Sequence, residues 1–174
     1  ERYKFITHDL KKLTVGIMGY GRLGKRVEKY TKSMGMNTII YDIKRKNLDI
    51  LKFISKSNVI VITASSFDGR KVLTKYHLKA LKKNTYIVNT SRFFSVDEKE
   101  ILKKIKSGFV SGYASDSIDG EYDKNLYRKN EFLRLSNKYN IIVTPHLGGF
   151  TYESLNQTEE VMANFFYKNF KNKI

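Results

Sequence analysis

The chain of 174 residues has no cysteine and only one proline, Pro145. Without cysteine there is no disulfide and no thiolate metal site, and a reducing cytosol is the simplest home. No apolar run approaches the roughly 20 residues that a membrane helix needs. No charged-then-apolar leader opens the chain, so no secretory signal is expected. Internal repeats, low-complexity tracts and Pro-rich linkers are absent too. Acidic residues are scarce beside basic ones: 17 Asp and Glu stand against 33 Lys and Arg, a formal net charge of +16. The lysines are spread along the chain, as in Lys82-Lys83 and Lys103-Lys104, and form no dense block with interleaved aromatics. The charge is therefore read as a solvated basic surface, and a nucleic-acid partner is not expected.

What is present suits a folded domain. Hydrophobic residues make up 41% and aromatics 13% of the chain, enough to build a core at this length. Short apolar runs at Thr14–Met18, Asn37–Tyr41, Val59–Thr63, Thr85–Asn89, Phe109–Ala114 and Ile141–Thr144 read as strands. They lack polar alternation, as strands of a parallel sheet covered on both sides do. Helical patterns lie between them. Arg22–Met34 carries Leu23, Val27, Tyr30 and Met34 at helical spacing and stops at Gly35. Shorter helices are expected at Leu48–Ile54 and Lys75–Lys82. Ser95-Val96-Asp97-Glu98 has the form of a capping box and opens a helix that ends near Gly108. Residues 116–130 read as a loop. Ser154-Leu155-Asn156-Gln157 is a candidate cap for a final helix, whose Leu155, Val161, Met162, Phe165, Phe166 and Phe170 share one broad face. Strand–helix alternation predicts an α/β fold, a doubly wound parallel sheet of Rossmann type with helices on both faces.

The stretch from Thr14 to Asp42 carries a chemical signature. Gly19, Gly21 and Gly24 form G-x-G-x-x-G between a strand and a helix, and the next strand runs into Asp42, 18 residues past Gly24. In that context Gly19 permits the tight turn, Gly21 lets a pyrophosphate approach the backbone, and Gly24 packs the helix closely. Free N–H groups at the helix start, on Arg22 and Leu23, attract phosphate. Asp42 accepts from ribose hydroxyls and repels a 2′-phosphate, which favours NAD over NADP; Lys44, Arg45 and Lys46 offset part of that repulsion.

Further along, "YIVNTSRFFSVDEKEILKKIKSG", "GYASDSIDGE" and "NIIVTPHLGG" follow in order. With the glycine loop, this ordered set resembles the D-isomer-specific 2-hydroxyacid dehydrogenases, from about Leu13 to Thr151. The resemblance implies an NAD-dependent enzyme moving a hydride between the nicotinamide and a D-2-hydroxy acid or 2-keto acid. It implies that Arg92 grips the substrate carboxylate, that Asp116 contacts the nicotinamide end, and that Glu121 partners His146, the acid/base. The chemistry agrees: a histidine suits proton removal from a hydroxyl, a carboxylate orients it, and an arginine fork binds a carboxylate at two points. The cofactor-binding set is Gly19, Gly21, Arg22, Leu23, Gly24, Asp42, Thr63, Thr90, Ser91, Asp116, Gly148 and Gly149. His8 and His77 lack such context and read as surface or structural residues.

The sequence departs from the family pattern at three places. Phe93-Phe94 follow the arginine where Gly-Gly is usual, Tyr122 follows Glu121 where proline is common, and Ala64-Ser65-Ser66-Phe67 replace a proline-containing loop. Family members are near twice this length. The chain is therefore expected to be a single dinucleotide-binding domain, 1–174, without the family's substrate domain, and to turn over slowly or not at all by itself. A homodimer is expected, with Phe93, Phe94 and Tyr113 as exposed aromatics at its interface. The competing reading is an NAD-sensing, corepressor-like module without significant turnover.

Overall fold

A computed structural model describes residues 8–45, 48–64 and 69–170. Its strands are β1 (Thr14–Met18), β2 (Asn37–Tyr41), β3 (Val59–Ile62), β4 (Thr85–Asn89), β5 (Val110–Ser115) and β6 (Ile141–Val143). The helices are α1 (Arg22–Ser33), α2 (Ile50–Lys56), α3 (Glu98–Lys106), α4 (Lys124–Lys129), α5 (Glu131–Leu135) and α6 (Tyr152–Phe170). The strands form one sheet in the order β2-β1-β3-β4-β5-β6, and every neighbouring pair is parallel. This is the doubly wound α/β architecture the alternation predicts. Strand order reverses at β1, which lies between β2 and β3, so the crevice beyond its carboxyl end is the expected ligand position.

Register sorts the side chains into two faces. Gly16, Ile60, Ile87, Tyr113 and Ile141 align across the sheet. They share a core with Phe53 and Ile54 of α2, Ile101, Leu102 and Ile105 of α3, and Phe132 of α5. Gly16 makes room for Phe53: a Cβ there would stand 2.9 Å from its ring. The opposite face holds a smaller cluster, Val15, Ile17 and Val61, packed against Val27 of α1. Helices thus lie on both faces, but cover is thin on the second. Tyr86 of β4 and Ile142 of β6 point out on that face and stay exposed.

Several local expectations are corrected. In α1 and at its C-cap, Leu23, Tyr30 and Met34 are exposed, so only Val27 of the expected stripe meets the sheet. The helix expected at Lys75–Lys82 is a 3-10 turn, His77–Ala80, tied down by buried Leu78. His77 there accepts from the Thr74 N–H, a structural role, and burial lowers its pKa. Asp97 caps α3, accepting from the Glu100 N–H. Ser95 instead sits buried in a preceding 3-10 turn, facing Ser91, and a carboxylate is the better partner for a helix start. The span 116–130 is not all loop, because Asp123 caps α4 through the N–H groups of Asn125 and Leu126. The hydroxyl of Thr151, not Ser154, caps α6. Tyr113 is 2% exposed and packs on Phe132, so it cannot serve as an exposed interface aromatic. No helix among the described residues is long and apolar enough to cross a membrane.

Candidate active site at the strand ends

Parallel strands point the same way, so the segments leaving their carboxyl ends gather along one edge. The glycine loop leaves β1, Asp42 leaves β2, Thr63 leaves β3, Thr90 to Arg92 leave β4, Asp116 leaves β5 and His146 leaves β6. Every residue picked from the sequence therefore comes to this edge of the sheet.

The glycine loop is shaped by sterics. Gly19 has φ +98° and lies so close to Ala64 that a Cβ would sit 2.5 Å from its backbone. Gly24 is pressed on the Gly19 carbonyl; a Cβ there would stand 2.2 Å from that oxygen. A Cβ on Gly21 would meet nothing within 4 Å, so the surface above it is open. Gly21 caps α1 without any side-chain hydrogen bond, and the N–H groups of the first turn have no partner within the helix. This open, uncapped helix start fits a pyrophosphate. Thr63 locks the loop, donating to the Gly19 carbonyl at 2.6 Å. Arg22 and Leu23 stand exposed on the first turn.

Asp42 ties the loop to the second strand. Its carboxylate accepts from the Tyr20 N–H at 2.7 Å and the Lys44 N–H at 2.9 Å. Burial raises its pKa, but these two bonds and the charges of Lys44 and Arg45 outweigh it and hold the group below the usual value. It is a carboxylate at neutral pH with acceptor capacity left for a hydroxyl. The Arg45 guanidinium lies 4.1 Å from the Tyr20 ring centroid. Lys46 and residues 65–67, where the sequence departs from the family pattern, lie outside the described residues.

After β4, Thr90 donates to the Ile62 carbonyl at 2.9 Å and Ser91 to the Ala64 carbonyl at 2.5 Å. Asn89 donates from its amide to the Arg92 carbonyl, fixing the turn. Arg92 itself is exposed, and its guanidinium donates to the Ser91 carbonyl at 3.3 Å. Phe93 and Phe94 are half-buried and pack edge to face at 5.3 Å, forming a short 3-10 turn beside it.

The segments leaving the last two strands bring Glu121 and His146 together. Asp116 staples the turn after β6, accepting from the Thr144 hydroxyl at 2.5 Å, the Leu147 N–H at 2.9 Å and the Gly148 N–H at 2.8 Å. Burial raises its pKa, yet these bonds and the nearby His146 bring it below the ordinary value. Gly148 must be small, because a Cβ would lie 2.7 Å from Asp116 Oδ2. Gly149 is exposed, with open space around it. The stapled turn holds His146 at φ +56°, a left-handed backbone that histidine adopts more readily than most residues. Its Nδ1 lies 3.0 Å from Glu121 Oε1, while Glu121 Oε2 accepts from the Ile118 N–H at 3.3 Å. The glutamate side chain is 9% exposed and the imidazole 30%. With Nδ1 engaged, Nε2 is the nitrogen left to take or give a proton.

One contributor escaped the sequence reading. Glu98 reads as part of a cap, but its Oε1 is buried without a partner among the described residues, beside the Asp119 backbone. Burial and the carboxylates of Asp119 and Glu121 push its pKa up to about 7. It underpins the loop carrying Glu121, and no linear motif marks it, since the contact joins segments 21 residues apart.

Comparison with known proteins gives the family. Residues 1–148 match the family model "D-isomer specific 2-hydroxyacid dehydrogenase, NAD binding domain". Glyoxylate reductase of Thermococcus litoralis is 28% identical over 170 residues, 91% of this chain and 49% of that protein. 2-Hydroxyacid dehydrogenase homolog 1 of Schizosaccharomyces pombe is 32% identical, over 85% of this chain and 50% of its own length. D-lactate dehydrogenase from Aquifex aeolicus, solved with NAD and lactic acid, superposes with a TM-score of 0.81 at 25% identity, over 97% of this chain and 57% of that one. The chain spans about half the length of the curated relatives it matches. The chain is therefore a member of the D-isomer-specific 2-hydroxyacid dehydrogenase family, and residues 1–148 match its NAD-binding domain.

Proposed function

We propose that residues 1–174 are a single dinucleotide-binding domain, serving an enzyme that interconverts D-2-hydroxy acids and 2-keto acids. The observation that carries this is the Glu121–His146 pair, 3.0 Å apart, on the edge that also holds the glycine loop. Bound NAD supplies or accepts the hydride. The N–H groups at the start of α1, above Gly21, hold its pyrophosphate, and Asp42 accepts from the adenine ribose. Thr63, Thr90 and Ser91 line the path between them and the chemistry, and Asp116, Gly148 and Gly149 border its nicotinamide end.

Arg92 binds the substrate carboxylate as a two-point fork and polarises the neighbouring carbonyl. His146 donates a proton from Nε2 to the carbonyl oxygen during reduction and removes it from the hydroxyl during oxidation. Glu121 keeps the ring oriented and compensates its positive charge. Water must be excluded during hydride transfer, and the site is open along this edge, so the chain alone turns over slowly or not at all. The working form is a cytoplasmic homodimer, with Phe93 and Phe94 as candidate interface residues.

Titration with NADH and NADPH, followed by fluorescence or heat, tests the reading. Saturable NADH binding, tighter than NADPH and weakened about tenfold by Asp42→Ala, supports it. Absence of binding by either nucleotide contradicts it. Sedimentation equilibrium tests the dimer: a monomer at every concentration removes that part.

A further inference from the structure

Tyr122 stands beside the histidine–glutamate pair, and the acid–base chemistry does not require it. It is 86% exposed, yet its ring lies against that of His146, with centroids 6.5 Å apart. The phenol oxygen lies 3.5 Å from His146 Nδ1, at the rim of the 3.0 Å contact between that nitrogen and Glu121. Nδ1 donates to the carboxylate when it carries its proton, so it cannot also accept from the phenol. The phenol has a better acceptor at hand in the same carboxylate. The charged and titratable groups acting on it are Glu121 and Arg92, and His146 adjoins it. Glu121, as a nearby acceptor and negative charge, raises the phenol pKa against the opposing pull of Arg92.

The imidazole needs such a hold. His146 sits on a turn with left-handed backbone, outside any helix or strand. Its ring is fixed through Nδ1, and the fixing carboxylate accepts from the Ile118 N–H at 3.3 Å. We infer that Tyr122 is a positioning residue: its hydroxyl pins the Glu121 carboxylate against His146 Nδ1 and so keeps Nε2 turned toward the substrate side. This role rests on His146 being the acid/base, but its test uses neither cofactor nor turnover, so the two readings fail separately.

The test is NMR on the full chain labelled with 15N-histidine and 13Cζ-tyrosine. Tyr122→Phe removes only an exposed hydroxyl and leaves the fold intact. The expected result is solvent exchange of the His146 Nδ1–H about 2- to 10-fold faster in Tyr122→Phe than in the parent, the range that one net hydrogen bond supplies. In the parent, Tyr122 titrates above an ordinary tyrosine, and Glu121→Gln brings it back toward that value. Unchanged Nδ1–H exchange in Tyr122→Phe would overturn the inference. So would a Tyr122 titration indifferent to Glu121→Gln.

Discussion

The two faces of the sheet carry equally apolar rows and treat them differently. On one face Ile60, Ile87, Tyr113 and Ile141 are 0%, 0%, 2% and 6% exposed. On the other, in the next register row, Ile17 and Val61 are 0% and 8% exposed, but Ile142 at the edge is 60% exposed. α2, α3 and α5 cover the first row from end to end, whereas α1 covers only the β1–β3 end of the second. Helix α6 does not repair the gap. It buries none of its 19 residues, and Phe165, Phe166 and Phe170 stay exposed. An apolar pattern in sequence thus says which residues seek cover, while tertiary arrangement decides which receive it. The fully packed face supports α3 and the β5–α4 loop, and with them Glu98 and Glu121.

The contrast makes graded predictions. Ile87→Ala on the covered face should cost about 2–4 kcal/mol in urea unfolding, because it opens a cavity in a closed core. A cost near zero would mean that this face is as loose as the other.

Glu98, at the edge of the same packed face, sets a pH dependence. Its folded pKa of about 7 lies above the unfolded 4.5. Its stabilising effect is therefore complete below pH 4.5 and lost as pH rises through 7, by about 3 kcal/mol. Glu98→Gln should raise the melting temperature at pH 8 and change little at pH 5. No gain at pH 8 would show that the carboxyl is solvated.

Asp116 behaves oppositely. Its folded pKa is lowered, so its contribution is present above the unfolded value of about 4 and disappears as pH falls through the folded one. Asp116→Asn should cost about 1 kcal/mol at neutral pH, with the difference closing in acid. A variant as stable as the parent at pH 7 would mean that the turn after β6 holds itself.

The smallest effects belong to the thin face and α6. Ile142→Ala and Phe166→Ser should each change stability by about 0.5 kcal/mol or less. A loss comparable to Ile87→Ala would mean that another surface covers them.

Much of the sheet was legible because buried parallel strands read as short β-branched runs. Thr14–Met18, Asn37–Tyr41 and Thr85–Asn89 have the expected bounds. The glycine loop was legible because close approach restricts Gly19 and Gly24 to glycine. The pairing of Glu121 with His146 came from an ordered set of motifs, and the 3.0 Å contact realises it. What escaped depends on partners distant in sequence. The stripe Leu23, Tyr30 and Met34 has helical spacing but no sheet beneath it. Ser95 resembles a cap, yet the neighbouring Asp97 holds the helix start. Asp116, marked for the nicotinamide end, also staples residues 144–148, which no local pattern announces.

The most direct test of one site spread along the strand ends is an amide shift map of the 15N-labelled chain during NADH titration. Perturbations are expected at Gly19–Gly24, Asp42, Thr63, Thr90–Ser91, Asp116 and His146–Gly149, all saturating with one dissociation constant. Shifts confined to the opposite ends of the strands, or to the exposed face of α6, would contradict it.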